Sequence, residues 1–139
     1  MNPPAGADPR PGDDPRRLAA RLAALRTLIG AGVILAPGPT LRSWGYPRKE
    51  RGSGTVRALL QLLGGRDAVL GLATLAARHE PRAFRRMVTV AAAFDAGDAA
   101  IGLGLLVLRG ETRVPALAWT AVAAPFSVIG WRIQRALRD

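Results

Sequence analysis

Residues 64–77 read GGRDAVLGLATLAA. Arg66 and Asp67 stand side by side in a run otherwise made of Gly, Ala, Leu, Val and Thr. The run does not alternate as a strand would, and it has no wide polar face of the kind a soluble amphipathic helix presents to water. Extended back to residue 56, as VRALLQLLGGRDAVLGLATLAA, it reaches the roughly 20 residues that cross a bilayer core. The stretch therefore reads as a membrane-crossing helix with an arginine and an aspartate at its centre.

Three more segments have the same character: LAARLAALRTLIGAGVILA at 18–36, MVTVAAAFDAGDAAIGLGLLVL at 87–108, and PALAWTAVAAPFSVIGW at 115–131. Only the last is free of charge. Pro37, Gly38 and Pro39 end the first, Pro81 precedes the third, and Pro115 opens the fourth, where a missing amide is harmless. Pro125 predicts a kink in the fourth. Trp44, Tyr46, Trp119 and Trp131 fall near segment ends, where aromatic anchors sit. The fold expected is all-α, a four-helix transmembrane bundle of up-and-down topology, with helices at about 16–36, 55–77, 82–108 and 115–135. Residues 1–15, MNPPAGADPRPGDDP, have too little apolar surface to fold and are expected to be a disordered tail before a single domain at 16–139. The first segment is not read as a cleaved signal, because Arg21 and Arg26 interrupt it and Pro37 follows Ala36.

Composition excludes several chemistries. The chain has no Cys, so disulfides and thiolate chemistry are out, and its one histidine, His79, reads as a solvated loop residue with no second His to complete a site. There is no phosphate loop with its Lys, no HExxH and no GxSxG. No cofactor and no metal are expected. The net charge of +10 invites a nucleic-acid reading, but the arginines lie in small groups at the ends of apolar segments, without interleaved aromatics, so no nucleic acid is expected as a partner. The expected partner is the lipid bilayer, with anionic head groups at Arg82, Arg85 and Arg86 and room for a homo-oligomer or a membrane partner.

Basic residues in the connections set orientation. Arg10, Arg16, Arg17, Arg21, Arg78, Arg82, Arg85, Arg86, Arg132, Arg135 and Arg138 lie on one side; Arg42, Arg48, Lys49, Arg51, Arg109 and Arg113 lie on the other. The larger set belongs inside, which puts both termini of a multi-pass cell-membrane protein in the cytoplasm.

The central charges carry the functional question. Arg26, Arg66, Asp67, Asp95 and Asp98 all fall within three residues of the midpoints of their segments. At 1.5 Å per residue they lie within ~5 Å of one plane. A lone charge at that depth costs roughly 2.5–3.5 kcal/mol on insertion scales. Two guanidinium groups and three carboxylates that meet neutralise one another to a formal −1. At 100° per residue, Ala91, Asp95, Asp98 and Gly102 share one face of the third helix, and Arg26 shares a face with Ala23 and Gly30. Gly64, Ala68 and Gly71 make a small-residue stripe on the second, which lets helices approach closely. Arg66 points among leucines and needs a partner from a neighbouring helix; an aspartate of the third, in a bidentate pair, is expected. Asp95 and Asp98 are i, i+3 neighbours and are expected to resist double ionisation, so that one holds a proton.

These residues support more than one function. One reading is a structural layer, or a partner subunit, that locks helices in register. A second is a membrane-embedded enzyme of isomerase or cyclase type acting on a lipophilic substrate, with Asp95, Asp98, Asp67, Arg66 and Arg26 as its catalytic candidates. A third is an oligomeric transporter or proton-conducting component. The motifs LAPGP at 35–39, GGRDAVLG at 64–71 and FDAGDA at 94–99 resemble small bacterial four-helix membrane proteins of unknown function, some loosely grouped as DoxX-like. The resemblance implies a four-helix membrane bundle in which Arg66, Asp67, Asp95 and Asp98 match the polar motifs; it implies little about activity.

Overall fold

The computed structural model describes residues 14–108 and 113–137. The expected tail at 1–13 lies outside the described residues, as do Arg10, Arg109 and Arg138. Asp14 and Pro15, assigned above to the tail, instead start the first helix. Asp14 accepts a hydrogen bond from the Arg16 amide (2.9 Å) and Pro15 occupies the first turn. That helix, α1, runs Pro15–Leu35. Two short helices follow, α2 (Pro37–Ser43) and α3 (Arg48–Arg51). Ser53 caps α4 (Gly54–Ala76) through the Val56 amide, and a 3-10 turn at Ala77–His79 closes it. Glu80 accepts from the amides of Arg82 (3.0 Å) and Ala83 (2.5 Å) and so caps α5 (Pro81–Leu108). The last helix is α6 (Arg113–Ala136), unbroken through Pro125. No strand occurs among the described residues.

The chain is an all-α bundle of four long helices, α1, α4, α5 and α6, and each is long and apolar enough to cross a membrane. At 21 residues α1 alone spans about 32 Å, against a hydrocarbon core of about 30 Å. Side-chain placement is the reverse of a soluble bundle. Leu28, Leu62, Val69, Ile101 and Val107 are exposed. Much of the interior is Ala and Gly: Ala19, Ala23, Gly30, Gly64, Gly71, Ala92, Ala116 and Ala123 are buried. An apolar surface this continuous is what lipid solvates and water does not.

The long helices form two hairpins. α1 packs along α4 and α5 along α6 over most of their lengths, whereas α4 meets α5, and α1 meets α6, at far fewer places. Missing side chains make the first hairpin possible. A Cβ on Gly64 would stand 2.8 Å from the Gly30 carbonyl oxygen, and one on Gly71 would stand 2.5 Å from the Ala23 carbonyl oxygen. The expected stripe of Gly64, Ala68 and Gly71 is thus the surface that meets Ala23, Thr27 and Gly30. In the second hairpin Gly130 lies against Ala92, and the Ser127 hydroxyl donates to the Ala92 carbonyl (3.4 Å). Larger side chains fill the two ends. Ala19, Phe84, Val88 and Ile133 cluster at the end that holds the α4–α5 turn; Val33, Leu41 and Leu60 cluster at the α2–α3 end.

α2 and α3 are additions to the sequence reading, which has one plain connection there. Leu41 is fully buried, and Trp44 meets Trp119 edge to face with centroids 5.4 Å apart. Trp119, expected as an interface anchor, therefore packs inward on the connection. Gly45 has φ +76°, a left-handed turn favouring glycine, and a Cβ there would strike Val114.

Candidate functional site

Between the two apolar ends the structure brings Arg26, Arg66, Asp67, Asp95 and Asp98 into one layer. Arg26, on α1 beside Gly30, is 5% exposed. Its Nη1 donates to Asp67 Oδ1 (3.1 Å) and its Nη2 donates to Asp95 Oδ2. Arg66 forks onto Asp98: Nη1 donates to Oδ1 (3.0 Å) and Nη2 to Oδ2 (2.5 Å). Its Nε and Nη2 also reach Asp67 Oδ1, at 3.3 and 3.2 Å. A planar guanidinium against a carboxylate satisfies both groups in one geometry. α6, which places no charge in the layer, contributes an aromatic face, since Phe126 lies 5.5 Å from the Arg26 guanidinium carbon. Phe94 of α5 covers Arg66 in the same way at 5.2 Å.

Asp67 is the hinge of the network, because one of its oxygens accepts from both arginines. The sequence expectation that Arg66 pairs with an aspartate of the third long helix holds, and the partner is Asp98. Asp95 and Asp98 do not bond to each other. They stand 60° apart around α5, so Asp95 meets α1 and Asp98 meets α4, each with its own arginine. The three aspartates do not converge on a point either: among the described residues no three acidic or imidazole side chains are placed to share a metal ion.

Among the described residues two ion pairs cross between hairpins, Arg26–Asp95 and Arg66–Asp98, and they lie in this layer. Next to it is a cavity of about 60 Å³ whose walls include Leu60, Leu63, Trp44, Trp119 and Phe126 as well as all five charged residues. A larger groove, about 380 Å³, is lined by Tyr46, Ile101, Leu105, Pro115 and Trp119, and reaches Arg66 and Asp98. The Trp119 indole nitrogen between them is buried without a hydrogen-bond partner. Sequence reasoning missed this aromatic wall; the spacing of Trp44 and Trp119, so far apart in the chain, gives no signal of their contact. Burial raises the Tyr46 pKa, and Glu50 adds to the shift.

The remaining candidates are peripheral. His79 is exposed and its Nε2 accepts from Arg78 Nε (2.9 Å). Arg82, Arg85 and Arg86 are exposed in the first turns of α5.

A buried ionic layer within four apolar helices defines a small membrane-type helical bundle. The model of a domain of unknown function, DUF4267, matches residues 23–132, and the chain belongs to that family. The match covers the whole ionic layer, and no DoxX link comes with it. No curated protein and no solved structure matches the chain.

Proposed function

We propose that the chain is a multi-pass integral membrane protein of the cell membrane whose Arg/Asp layer is structural: it clamps one helix hairpin to the other at the bilayer midplane. The observation that carries this reading is that Arg26–Asp95 and Arg66–Asp98 bridge the hairpins where backbone packing between them is sparse. In low dielectric such pairs cannot separate without leaving charges unpaired. The apolar clusters on both sides of the layer favour a clamp over a conduit. Orientation follows the described arginines. Arg16, Arg17, Arg21, Arg78, Arg82, Arg85, Arg86, Arg132 and Arg135 are at the end where α1 begins and α6 finishes; Arg42, Arg48, Lys49, Arg51 and Arg57 are at the other. The positive-inside bias puts the termini in the cytoplasm, where Arg82, Arg85 and Arg86 face anionic head groups.

The test splits the chain within the turn at residues 77–80 and co-expresses the halves. Both halves are expected to resist carbonate extraction and to co-purify in mild detergent. Asp95→Asn with Asp98→Asn should abolish co-purification while each half stays in the membrane. Halves that stay together without both aspartates overturn the clamp.

One observation favours a second reading, an enzyme acting on a lipophilic substrate: the 380 Å³ groove that ends on Arg66 and Asp98. A lipophilic molecule that co-purifies with the protein and is lost on Leu105→Trp would support it.

A further inference from the structure

Away from the ionic layer, four arginines gather in one cleft at the α2–α3 end. Arg42 is in the last turn of α2, Arg48 and Arg51 are on α3, and Arg57 is in the first turn of α4. Together with Gly38 and Ser43 they line a space of about 620 Å³. The arrangement is built by the backbone: Arg57 Nε donates to the Arg51 carbonyl oxygen (2.8 Å), which draws the start of α4 over α3. Among the described residues none of the four forms an ion pair with a carboxylate. The contrast is with Arg26 and Arg66, which are paired, and with Arg17, which meets Asp14 at 3.5 Å. The second observation is independent of charge. Arg51 Nε is buried and has no hydrogen-bond partner, although buried polar groups are paired nearly without exception.

Four like charges around one cleft, one of them with an unmet buried donor, are suited to an oxyanion. Guanidinium forks match the geometry of phosphate, and several can share its oxygens. The cleft is lined by Gly38 and Pro39, just past the end of α1, and by Arg57 where α4 begins, so in a bilayer crossed by the long helices it falls at the head-group level. We propose that the α2–α3 cleft is a binding site for a phosphate oxyanion, the head-group phosphate of an anionic phospholipid. This site is separate from Arg82, Arg85 and Arg86, which lie at the opposite end of the bundle, and it does not depend on what the ionic layer does.

The test uses the full chain purified in a neutral detergent and freed of lipid. Short-chain phosphatidylglycerol and short-chain phosphatidylcholine are titrated separately, and bound lipid is counted by native mass spectrometry. Phosphatidylglycerol is expected to bind at least about tenfold more tightly than phosphatidylcholine. Arg42→Gln with Arg51→Gln should weaken it by at least about tenfold, the scale of one charge-assisted hydrogen bond. Arg132→Gln with Arg135→Gln, exposed at the opposite end of the bundle, should leave it unchanged. Helicity by circular dichroism checks that each variant is folded; should the Arg42/Arg51 pair fail, Arg48→Gln with Arg57→Gln serves the same purpose. Glycerol phosphate, added as competitor, separates the sources. Displacement only at large excess supports the lipid, and displacement at equal concentration supports the same site with a free phosphate ester as its ligand. Equal binding of the two lipids, or unchanged binding in the cleft variants, overturns the proposal.

Discussion

Replacing Asp98 with alanine sets pairing against net charge. The layer holds two arginines and three aspartates, so Asp98→Ala brings its formal charge from −1 to zero. If net charge governed stability, the variant would gain. Pairing argues the opposite. Asp98 accepts two hydrogen bonds from Arg66, at 3.0 and 2.5 Å. At an effective dielectric of about 20, an attraction across 3 Å is worth about 5 kcal/mol. Repulsion from Asp95, one helical turn away at about 5–6 Å, is about 3 kcal/mol on the same scale. Against Asp95 alone the balance favours keeping Asp98 by about 2 kcal/mol; Asp67, which shares Arg66, repels Asp98 while Arg26 attracts it, and these two effects oppose each other. Breaking a buried pair by removing one partner ordinarily costs 3–5 kcal/mol, and the Arg66 side chain, 23% exposed, lowers that figure. The expected loss is therefore about 2–3 kcal/mol. The control is Arg66→Met with Asp98→Leu, which keeps the formal charge at −1 while removing the pair, and it should recover to within about 1 kcal/mol of the parent. Unfolding in mixed micelles with rising dodecyl sulfate, followed by circular dichroism and by the three tryptophans, reads all three proteins. An Asp98→Ala variant as stable as the parent, or more stable, would refute the pairing argument and with it the clamp.

Three shorter predictions concern other parts of the fold. Gly30→Ala should cost about 1–3 kcal/mol in the same assay, because its Cβ would overlap backbone atoms of Gly64 and Ala68, whereas Gly65→Ala meets nothing within 4 Å and should be neutral or slightly stabilising; equal effects would show that α1 and α4 do not approach this closely. Arg26→Lys keeps the charge but loses the fork that spans Asp67 and Asp95, so it should cost about as much as a lost charge-assisted hydrogen bond, 1.5–3 kcal/mol; parent-like stability would mean that a point charge suffices. Tyr46 is the sole tyrosine, so phenolate absorbance reports it alone. Its raised pKa means that the unfolded chain ionises first: the contribution to stability is complete below about pH 10 and is lost as pH climbs through the folded value. Glu50→Gln should lower the midpoint only partway, since burial is the larger cause, and a midpoint at the ordinary tyrosine value in the folded protein would contradict the packing of this loop.

The four long helices were legible because lipid imposes a crude requirement, some 20 apolar residues in a row, and because proline marks their ends. Pro15, Pro37 and Pro81 each fall at a helix start. Pro115 misled by two residues, as proline fits anywhere in a first turn and α6 begins at Arg113. Helices α2 and α3 left no periodic trace at seven and four residues; they exist because Leu41 is buried and Trp44 finds Trp119, which are tertiary facts. The depth of the five charges could be counted from segment midpoints. Their pairing could be narrowed to Arg66 with α5, but the assignment of Asp95 to Arg26 could not, because it depends on how α5 is rotated against α1 and α4. The same rotation gives Asp95 and Asp98, one turn apart on α5, different arginine partners.

Composition explains why the charges belong at the centre. The α1–α4 and α5–α6 contacts rely on Ala and Gly, which bring backbones together but offer no large knobs to fix one hairpin against the other. In lipid the hydrophobic effect does not help, since the tails outside are as apolar as leucine inside. Large side chains meet across the hairpins in the Phe84, Val88 and Ile133 cluster with Ala19 and Leu22 of α1 at one end, and in the Trp44–Trp119 contact at the other. A shift of one helical turn, about 5.4 Å, would pull Arg26 from Asp95 and Arg66 from Asp98 together. Charges near the ends would hydrate after such a slide and lose little; charges at the midplane have no water to turn to. On the proposed clamp, the depth that makes each charge costly alone is what would make the set selective for one register.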